Sequence, residues 1–159
     1  MEITSAVRPL ETFTPTRAAG QRDVLSLALE PMPHLQVAFV GVGARGQVAV
    51  TRWCHIPGVH IAAVCDVSKQ VAEKAAQHVE QLGKPRPVVY WGEMAYRQLC
   101  QQQGLNLVYV CTDWLSHVPI ATYAMQCGKC VAVEVPAALT LKDIWQLVDT
   151  AEQTQQHCM

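Results

Sequence analysis

The sequence predicts an α/β fold in which helices cover both faces of a doubly wound parallel sheet. Five short apolar runs, at residues 36–40, 59–65, 87–91, 107–111 and 130–134, are rich in Val, Ile and Tyr. They lack strict alternation of apolar and polar residues, which is typical of strands buried on both faces. Helical patterns separate these runs from Leu35 onward. Repeated strand–helix alternation with right-handed crossovers produces a parallel sheet of this kind.

The helical patterns follow the strands in order, at residues 46–54, 68–82, 94–102, 116–126 and 140–157. In the second pattern, Val71, Ala75 and Val79 recur four residues apart, and a glycine at 83 ends the helix. The fifth opens with Thr140 three residues before Asp143, which resembles a capping box. Its apolar face is predicted to bury Ile144, Leu147, Val148 and Ala151.

A glycine motif follows the first strand directly, and an acidic residue follows at a defined distance. The motif is Gly41-x-Gly43-x-x-Gly46, and Asp66 closes the next apolar run twenty residues after Gly46. The first glycine allows a tight turn, the second lets the backbone approach a pyrophosphate, and the third permits close packing of helix on strand. The helix N-terminus attracts the phosphate charge, and the acid binds the adenosine ribose. The motif therefore predicts binding of a nicotinamide dinucleotide, NAD.

Other candidate site residues lie where strands four and five end. Trp114 and His117 follow the fourth strand, and Glu134 ends the fifth. Because the carboxyl ends of parallel strands meet at one edge, these residues are predicted to lie in the same crevice as the glycine turn. Three candidates also have a structural alternative: Trp114 as a packing residue, His117 as the start of a helix, and Asp66 as the end of a strand.

Composition excludes several classes of partner. Half of the 159 residues are hydrophobic, 16% are charged, and the formal net charge is −1, so no basic field would attract nucleic acid or an anionic membrane. No apolar run approaches the roughly 20 residues that span a bilayer. The first 33 residues lack the apolar core of a signal peptide, so the cytoplasm is the expected compartment.

The seven cysteines are an odd number at irregular spacing, which argues against a disulfide framework. Cys127 and Cys130 form a C-x-x-C pattern. We interpret it as the end of one helix and the start of the next strand, since a redox pair would sit at a helix N-terminus and a zinc site would need further ligands. No metal site is expected.

The predicted domain organisation has two parts. Residues 1–33, with Pro9, Pro15, Pro31 and Pro33, are expected to form an arm that wraps the surface or is disordered. Residues 34–159 form the dinucleotide-binding domain. A complete sheet of this type has six strands, so the sixth strand and a C-terminal α+β domain are expected to be absent. The chain would then be part of a longer two-domain protein, and the open edge after strand five predicts self-association into a homo-oligomer.

From Leu35 onward the chain resembles the N-terminal domain of the Gfo/Idh/MocA oxidoreductases, which implies a Rossmann fold and a sugar-like substrate. The matching segments are the glycine turn, Cys65-Asp66, residues 107–112, His117 and residues 128–136. Most members have Glu-Lys-Pro where this chain has Glu134-Val135-Pro136, and Thr-Pro where it has Thr112-Asp113. Both departures are similar to the glycoside hydrolase family 109 branch, which includes α-N-acetylgalactosaminidases.

This resemblance implies redox-neutral glycoside hydrolysis with a tightly held NAD. A hydride leaves the sugar C3, the acidified C2 proton is lost, the glycosidic bond is eliminated, water adds and the hydride returns. The sugar and the family's base would be held mainly by the absent domain, so no catalytic residue is assigned in this chain. An ordinary sugar or polyol dehydrogenase and a non-catalytic NAD-binding module remain alternatives.

The resemblance also implies contacts between this chain and NAD. Ala44 and Arg45 would approach the pyrophosphate, and the segments 114–117 and 134–135 would flank the nicotinamide. The complete set of predicted cofactor-binding residues is Gly41, Gly43, Ala44, Arg45, Gly46, Asp66, Thr112, Trp114, His117, Glu134 and Val135.

Overall fold

The computed structural model describes residues 14–159, and residues 1–13 of the predicted arm lie outside the described part. Five strands and five helices alternate: β1 Leu35–Val40, α1 Ala44–Trp53, β2 Val59–Asp66, α2 Lys69–Gln81, β3 Val88–Trp91, α3 Ala95–Cys100, β4 Leu107–Val110, α4 His117–Gln126, β5 Cys130–Val133 and α5 Leu141–Thr154. The strands form one parallel sheet in the order β3-β2-β1-β4-β5. The predicted doubly wound α/β fold is confirmed.

Each strand contributes side chains to two separate cores, which explains the unbroken apolar runs. On one face Val37 and Phe39 of β1 pack with α1 and α2, through residues such as Val50 and Val79. On the other face Ala38 and Val40 belong to a core that includes residues of α3, α4 and α5. Because both faces of β1 are buried, alternation of polar and apolar residues is absent there.

Side-chain hydrogen bonds cap the starts of two helices, and the one at α5 was predicted from the sequence. The Ser68 hydroxyl accepts a hydrogen bond from the Val71 N–H at the start of α2 (3.4 Å). At the start of α5 the Thr140 hydroxyl accepts from the Asp143 N–H (3.1 Å), as in a capping box. Leu147 and Ala151 of α5 are buried as predicted, whereas Ile144 is 46% exposed and does not join the core.

The C-terminal residues correct the predicted end of the fifth helix and cover part of the edge of β5. The fifth helix ends at Thr154 and not near residue 157, because Gln155 adopts a left-handed conformation with φ of 52°. The chain then runs parallel to β5: the Val131 N–H donates to the His157 carbonyl (2.9 Å), and the Met159 N–H donates to the Val131 carbonyl (3.0 Å). Residues 157–159 therefore pair with β5 through an isolated parallel bridge between Val131 and Cys158, outside the five strands of the sheet. The edge of β5 that was predicted to be open is partly covered, which weakens the reason for self-association given above.

Within the described part of the N-terminal segment, residues 17–24 contact α5 and the core beside it. Arg17 donates two hydrogen bonds to the Glu152 carboxylate (2.8 and 2.7 Å), and Gln21 donates a third (2.7 Å). Val24 packs on the core. Within residues 14–159, the helices are all too short or too polar to cross a membrane.

Candidate dinucleotide-binding site

The glycine turn joins β1 to α1 at the carboxyl edge of the sheet, and two of its glycines are required by the backbone. Gly41 has φ of +83°, and a Cβ there would lie 2.6 Å from the Cys111 carbonyl oxygen on the neighbouring chain segment. A Cβ on Gly46 would lie 2.0 Å from the Gly41 carbonyl oxygen. Only glycine allows this approach of the α1 backbone to the turn.

Gly43 differs from its neighbours because its surroundings are open. A Cβ there would meet no heavy atom of residues 14–159 within 4 Å. Gly43 is the N-cap residue of α1, and no described side chain caps this helix, in contrast to α2 and α5. The first helical hydrogen bond runs from the Gln47 N–H to the Gly43 carbonyl (2.8 Å). The preceding N–H groups, including those of Ala44 and Arg45, are the donors that a phosphate accepts at a helix N-terminus.

Asp66 is the last residue of β2, and backbone groups on both sides of the carboxylate fix its position. One oxygen accepts a hydrogen bond from the Val42 N–H of the glycine turn (3.0 Å), and the other accepts from the Ser68 N–H (3.0 Å). The carboxylate is thereby held beside the glycine turn, and in dinucleotide-binding folds an acid at this sequence spacing binds the ribose.

A cavity of about 340 Å³ opens at this edge, and four of the predicted residues line it: Gly41, Gly43, Asp66 and Thr112. Ser116, from the predicted segment 114–117, also lines it. Its remaining wall includes residues that were not predicted from the sequence: Val67, Gly92, Glu93, Tyr96 and Asp113. Most of them follow the ends of β2, β3 and β4. The rule that parallel strands end at a common edge would have identified them from the sequence.

Arg45 and Glu134 form a bidentate ion pair across the glycine turn. The Arg45 Nε and Nη2 atoms donate to the two oxygens of Glu134 (2.9 and 3.2 Å), and the Tyr109 hydroxyl also donates to Oε1 (2.8 Å). Glu134 is nearly buried whereas Arg45 is exposed. The hydrogen bond from Arg45, with that from Tyr109, holds the pKa of Glu134 below its ordinary value despite desolvation.

His117 begins α4 and is 1% exposed. Its Nδ1 lies 2.9 Å from the Pro136 carbonyl oxygen, and its Nε2 lies 3.2 Å from the Thr112 carbonyl oxygen. The ring thus joins the segments that follow β4 and β5, and a neutral imidazole donates to only one of these two acceptors. His117 is not among the residues that line the cavity or the neighbouring hollow around Trp114.

Trp114 and Val135 are exposed beside the crevice, at 58% and 82%. Trp114 lines a hollow with Thr112, Asp113, Leu115 and Leu139. This exposed apolar surface adjoins the cavity through Thr112 and Asp113, which line both. It flanks the side of the crevice where the sequence places the nicotinamide.

The C-x-x-C pattern has the predicted structural placement. Cys127 is the C-cap residue of α4, and Cys130 begins β5, so neither lies at a helix N-terminus. Among residues 14–159 no group of three or more His, Cys, Asp or Glu side chains could hold a metal ion.

Comparison with known sequences gives one family and a consistent set of relatives. The model of the oxidoreductase family with the NAD-binding Rossmann fold, Gfo/Idh/MocA, matches residues 35–159. A glycosyl hydrolase family 109 protein of Phocaeicola vulgatus is 46% identical over 157 residues, which are 98% of this chain and 33% of that protein. An α-N-acetylgalactosaminidase of Bacteroides fragilis is 43% identical over 90% of this chain and 34% of its own length. The chain spans about a third of these relatives.

Solved structures share the fold. The NAD-binding protein of Listeria innocua is 26% identical with a TM-score of 0.67, over 79% of this chain and 34% of that one. The myo-inositol dehydrogenase of Lactobacillus casei, solved with NAD(H) and myo-inositol, has a TM-score of 0.66 at 24% identity, over 74% of this chain and 33% of that one. The glycine turn, the strand order and the family match agree: the chain belongs to the Gfo/Idh/MocA oxidoreductase family and has its NAD-binding Rossmann fold.

Proposed function

We propose that this chain is the cofactor-binding unit of an NAD-dependent, redox-neutral glycoside hydrolase of the family 109 type. The observation that supports this most strongly is the similarity to a family 109 protein, 46% identical over 98% of the chain. The α-N-acetylgalactosaminidase of B. fragilis, at 43% identity, suggests an N-acetylated hexosaminide as substrate. Bound NAD+ would accept a hydride from the sugar and return it later in the same cycle.

The residues of the crevice fit NAD. An uncapped helix N-terminus offers backbone N–H groups to the pyrophosphate, and the open space at Gly43 lets the phosphates approach. Asp66 offers a fixed carboxylate to the adenosine ribose. The same carboxylate would repel the 2′-phosphate of NADP, so we infer a preference for NAD over NADP.

The far end of the crevice supplies orientation and exclusion of water. Thr112, Trp114 and Val135 lie at the ends of β4 and β5, where the nicotinamide and the sugar would meet. Exposed apolar groups there would be covered when a substrate-binding domain closes the crevice. Exclusion of water strengthens the electrostatic interactions within the site.

An ordinary sugar dehydrogenase is the second candidate. Val135 argues against it, because most dehydrogenases of this resemblance have a lysine at that position, and a valine side chain transfers no proton. Val135 is 82% exposed just after β5.

A chimera tests the proposed activity. The chain is joined to the remaining two thirds of the P. vulgatus relative and assayed with p-nitrophenyl α-N-acetylgalactosaminide and NAD+. We expect release of p-nitrophenol that depends on NAD+, without accumulation of NADH. The matched control is the same chimera with Gly43→Val, which should bind NAD+ poorly and release no p-nitrophenol.

Two outcomes would contradict the proposal. Accumulation of NADH with a free sugar or polyol, without cleavage of glycosides, would indicate the dehydrogenase. Equal turnover by the Gly43→Val chimera would show that the crevice described above does not hold the cofactor.

A further inference from the structure

Tyr109 interacts with the site through Glu134, although no sequence motif selects it. Tyr109 lies on β4 opposite Ala132 of β5. Ala132 comes two residues before Glu134 in the chain. Its hydroxyl donates to Glu134 Oε1 (2.8 Å). The ring is held in place by stacking on Phe39, with centroids 5.1 Å apart, and by edge contact with Trp53 at 5.4 Å. The hydroxyl is therefore a fixed donor.

The two carboxylate oxygens of Glu134 accept different numbers of hydrogen bonds. Oε1 accepts from both Arg45 Nε and Tyr109, and two donors saturate a carboxylate oxygen. Oε2 accepts from Arg45 Nη2 alone among the described residues, so it retains capacity for one more donor. Without Tyr109, the carboxylate would have no preference between its two oxygens other than the geometry of Arg45.

The strand order shows which part of a dinucleotide would supply that donor. Asp66 ends β2 and Glu134 follows β5, on opposite sides of the glycine turn that follows β1. Strands lie about 4.8 Å apart, so the ends of β2 and β5 are separated by three strand spacings, about 14 Å. A molecule with its adenosine ribose at Asp66 and its pyrophosphate at α1 extends its second ribose toward β4 and β5.

We propose that Tyr109 is a positioning residue for the cofactor: it saturates Oε1 of Glu134 and leaves Oε2 to accept a hydrogen bond from the nicotinamide-side ribose. This inference rests on the proposed binding of NAD. The phenol remains a donor at physiological pH, because burial first, and then its bond to Glu134, raises the pKa of Tyr109 to about 12.

Calorimetric titration of the chain and of Tyr109→Phe with NAD+, ADP-ribose and AMP tests this role. If Glu134, no longer fixed by Tyr109, loses its hydrogen bond to the ribose, the affinity falls by roughly tenfold, the equivalent of one hydrogen bond to a charged acceptor. We expect Tyr109→Phe to lower the affinity for NAD+ and for ADP-ribose by about that factor. The affinity for AMP should not change, because AMP ends at the first phosphate and does not reach Glu134. The control is Tyr123→Phe. The Tyr123 hydroxyl, on α4, accepts a hydrogen bond from the side chain of Gln101, which follows α3.

A double-mutant cycle with Glu134→Ala distinguishes positioning from a general structural role. If Tyr109 acts through Glu134, Tyr109→Phe has no further effect on NAD+ affinity once Glu134 is removed. An additional loss in that background would overturn the inference, as would equal weakening of AMP. Unchanged NAD+ affinity in Tyr109→Phe would overturn it while leaving the proposed function intact. If the unmodified chain bound no NAD+, the proposed function itself would fail.

Discussion

The three glycines of the turn have different physical roles, which substitutions can separate. Gly41 and Gly46 are fixed by contacts within the protein, with Cβ approaches of 2.6 and 2.0 Å to carbonyl oxygens. Gly43 has no such contact among residues 14–159. Its hydrogen atom is needed only if something else approaches, and a phosphate is what the adjoining helix N-terminus attracts.

We therefore expect Gly43→Ala to lower the affinity for NAD+ at least tenfold. The same change should lower the free energy of unfolding by at most about 1 kcal/mol, because alanine is a poorer N-cap residue. Gly46→Ala, which overpacks the turn, should lower the free energy of unfolding by about 3 kcal/mol. Urea unfolding and calorimetry measure both effects. A Gly43→Ala variant with unchanged NAD+ affinity would contradict the placement of the pyrophosphate.

The sequence was sufficient to predict the position of the glycine turn after β1 and of Asp66 at the end of β2, because both depend on spacing along one strand–turn–helix–strand unit. It could not predict the ion pair of Arg45 with Glu134, which are 89 residues apart. That contact depends on β4 and β5 lying beside β1 in the sheet. The burial of His117 was not predictable either, since it depends on the path of the chain after β5.

At the scale of elements, the end of α5 was predicted too late because the sequence has no glycine or asparagine at the position that ends the helix. Gln155 ends the helix in a left-handed conformation that glycine or asparagine usually adopts. Without such a residue, the helical pattern predicted a helix that continued to residue 157. The predicted burial of Ile144 failed for a related reason: periodicity defines an apolar face, but the first turn of α5 extends past the core that would cover it.

The C-x-x-C segment gives a prediction for a connection between elements. Replacing Cys127 and Cys130 together by Ala should leave the NAD+ affinity and the metal content unchanged, because they end α4 and begin β5. Metal analysis of the purified protein and calorimetry test this. One equivalent of zinc that disappears in the double variant would show that the pair is a ligand site.

The N-terminal segment and α5 give a second prediction at this scale. Glu152 is 4% exposed and accepts hydrogen bonds from Arg17 and Gln21, so Glu152→Ala should release the segment. We expect faster tryptic cleavage after Arg17 and Arg22, with NAD+ affinity unchanged, because Glu152 lies near the end of α5, away from the crevice. Glu80→Ala, at an exposed glutamate of α2, is the control. Equal cleavage rates in both variants would contradict this account of the contact.

At the scale of the whole molecule, three carboxylates should make the fold sensitive to acid. Hydrogen bonds from Arg45, Arg17 and the Ser116 hydroxyl respectively lower the pKa values of Glu134, Glu152 and Asp113. The unfolded chain then takes up protons before the folded chain does, so their stabilisation is present above about pH 4.5 and is lost as the pH falls. The midpoint temperature of thermal unfolding should fall as the pH is lowered from about 6 to 3. Its dependence on pH should be less steep in Glu152→Gln. A midpoint independent of pH would refute this.

The central claim is that the crevice formed by the glycine turn and Asp66 binds NAD. Calorimetric titration of the chain with NAD+ and with NADP+ tests it most directly, because Asp66 is fixed by two backbone hydrogen bonds where the 2′-phosphate would lie. We expect one NAD+ per chain, bound at least tenfold more tightly than NADP+, a difference of roughly 1.4 kcal/mol. Asp66→Ala should narrow that difference, whereas Asp149→Ala on α5 should not. No binding of NAD+, or equal affinity for both nucleotides in the unmodified chain, would contradict the account.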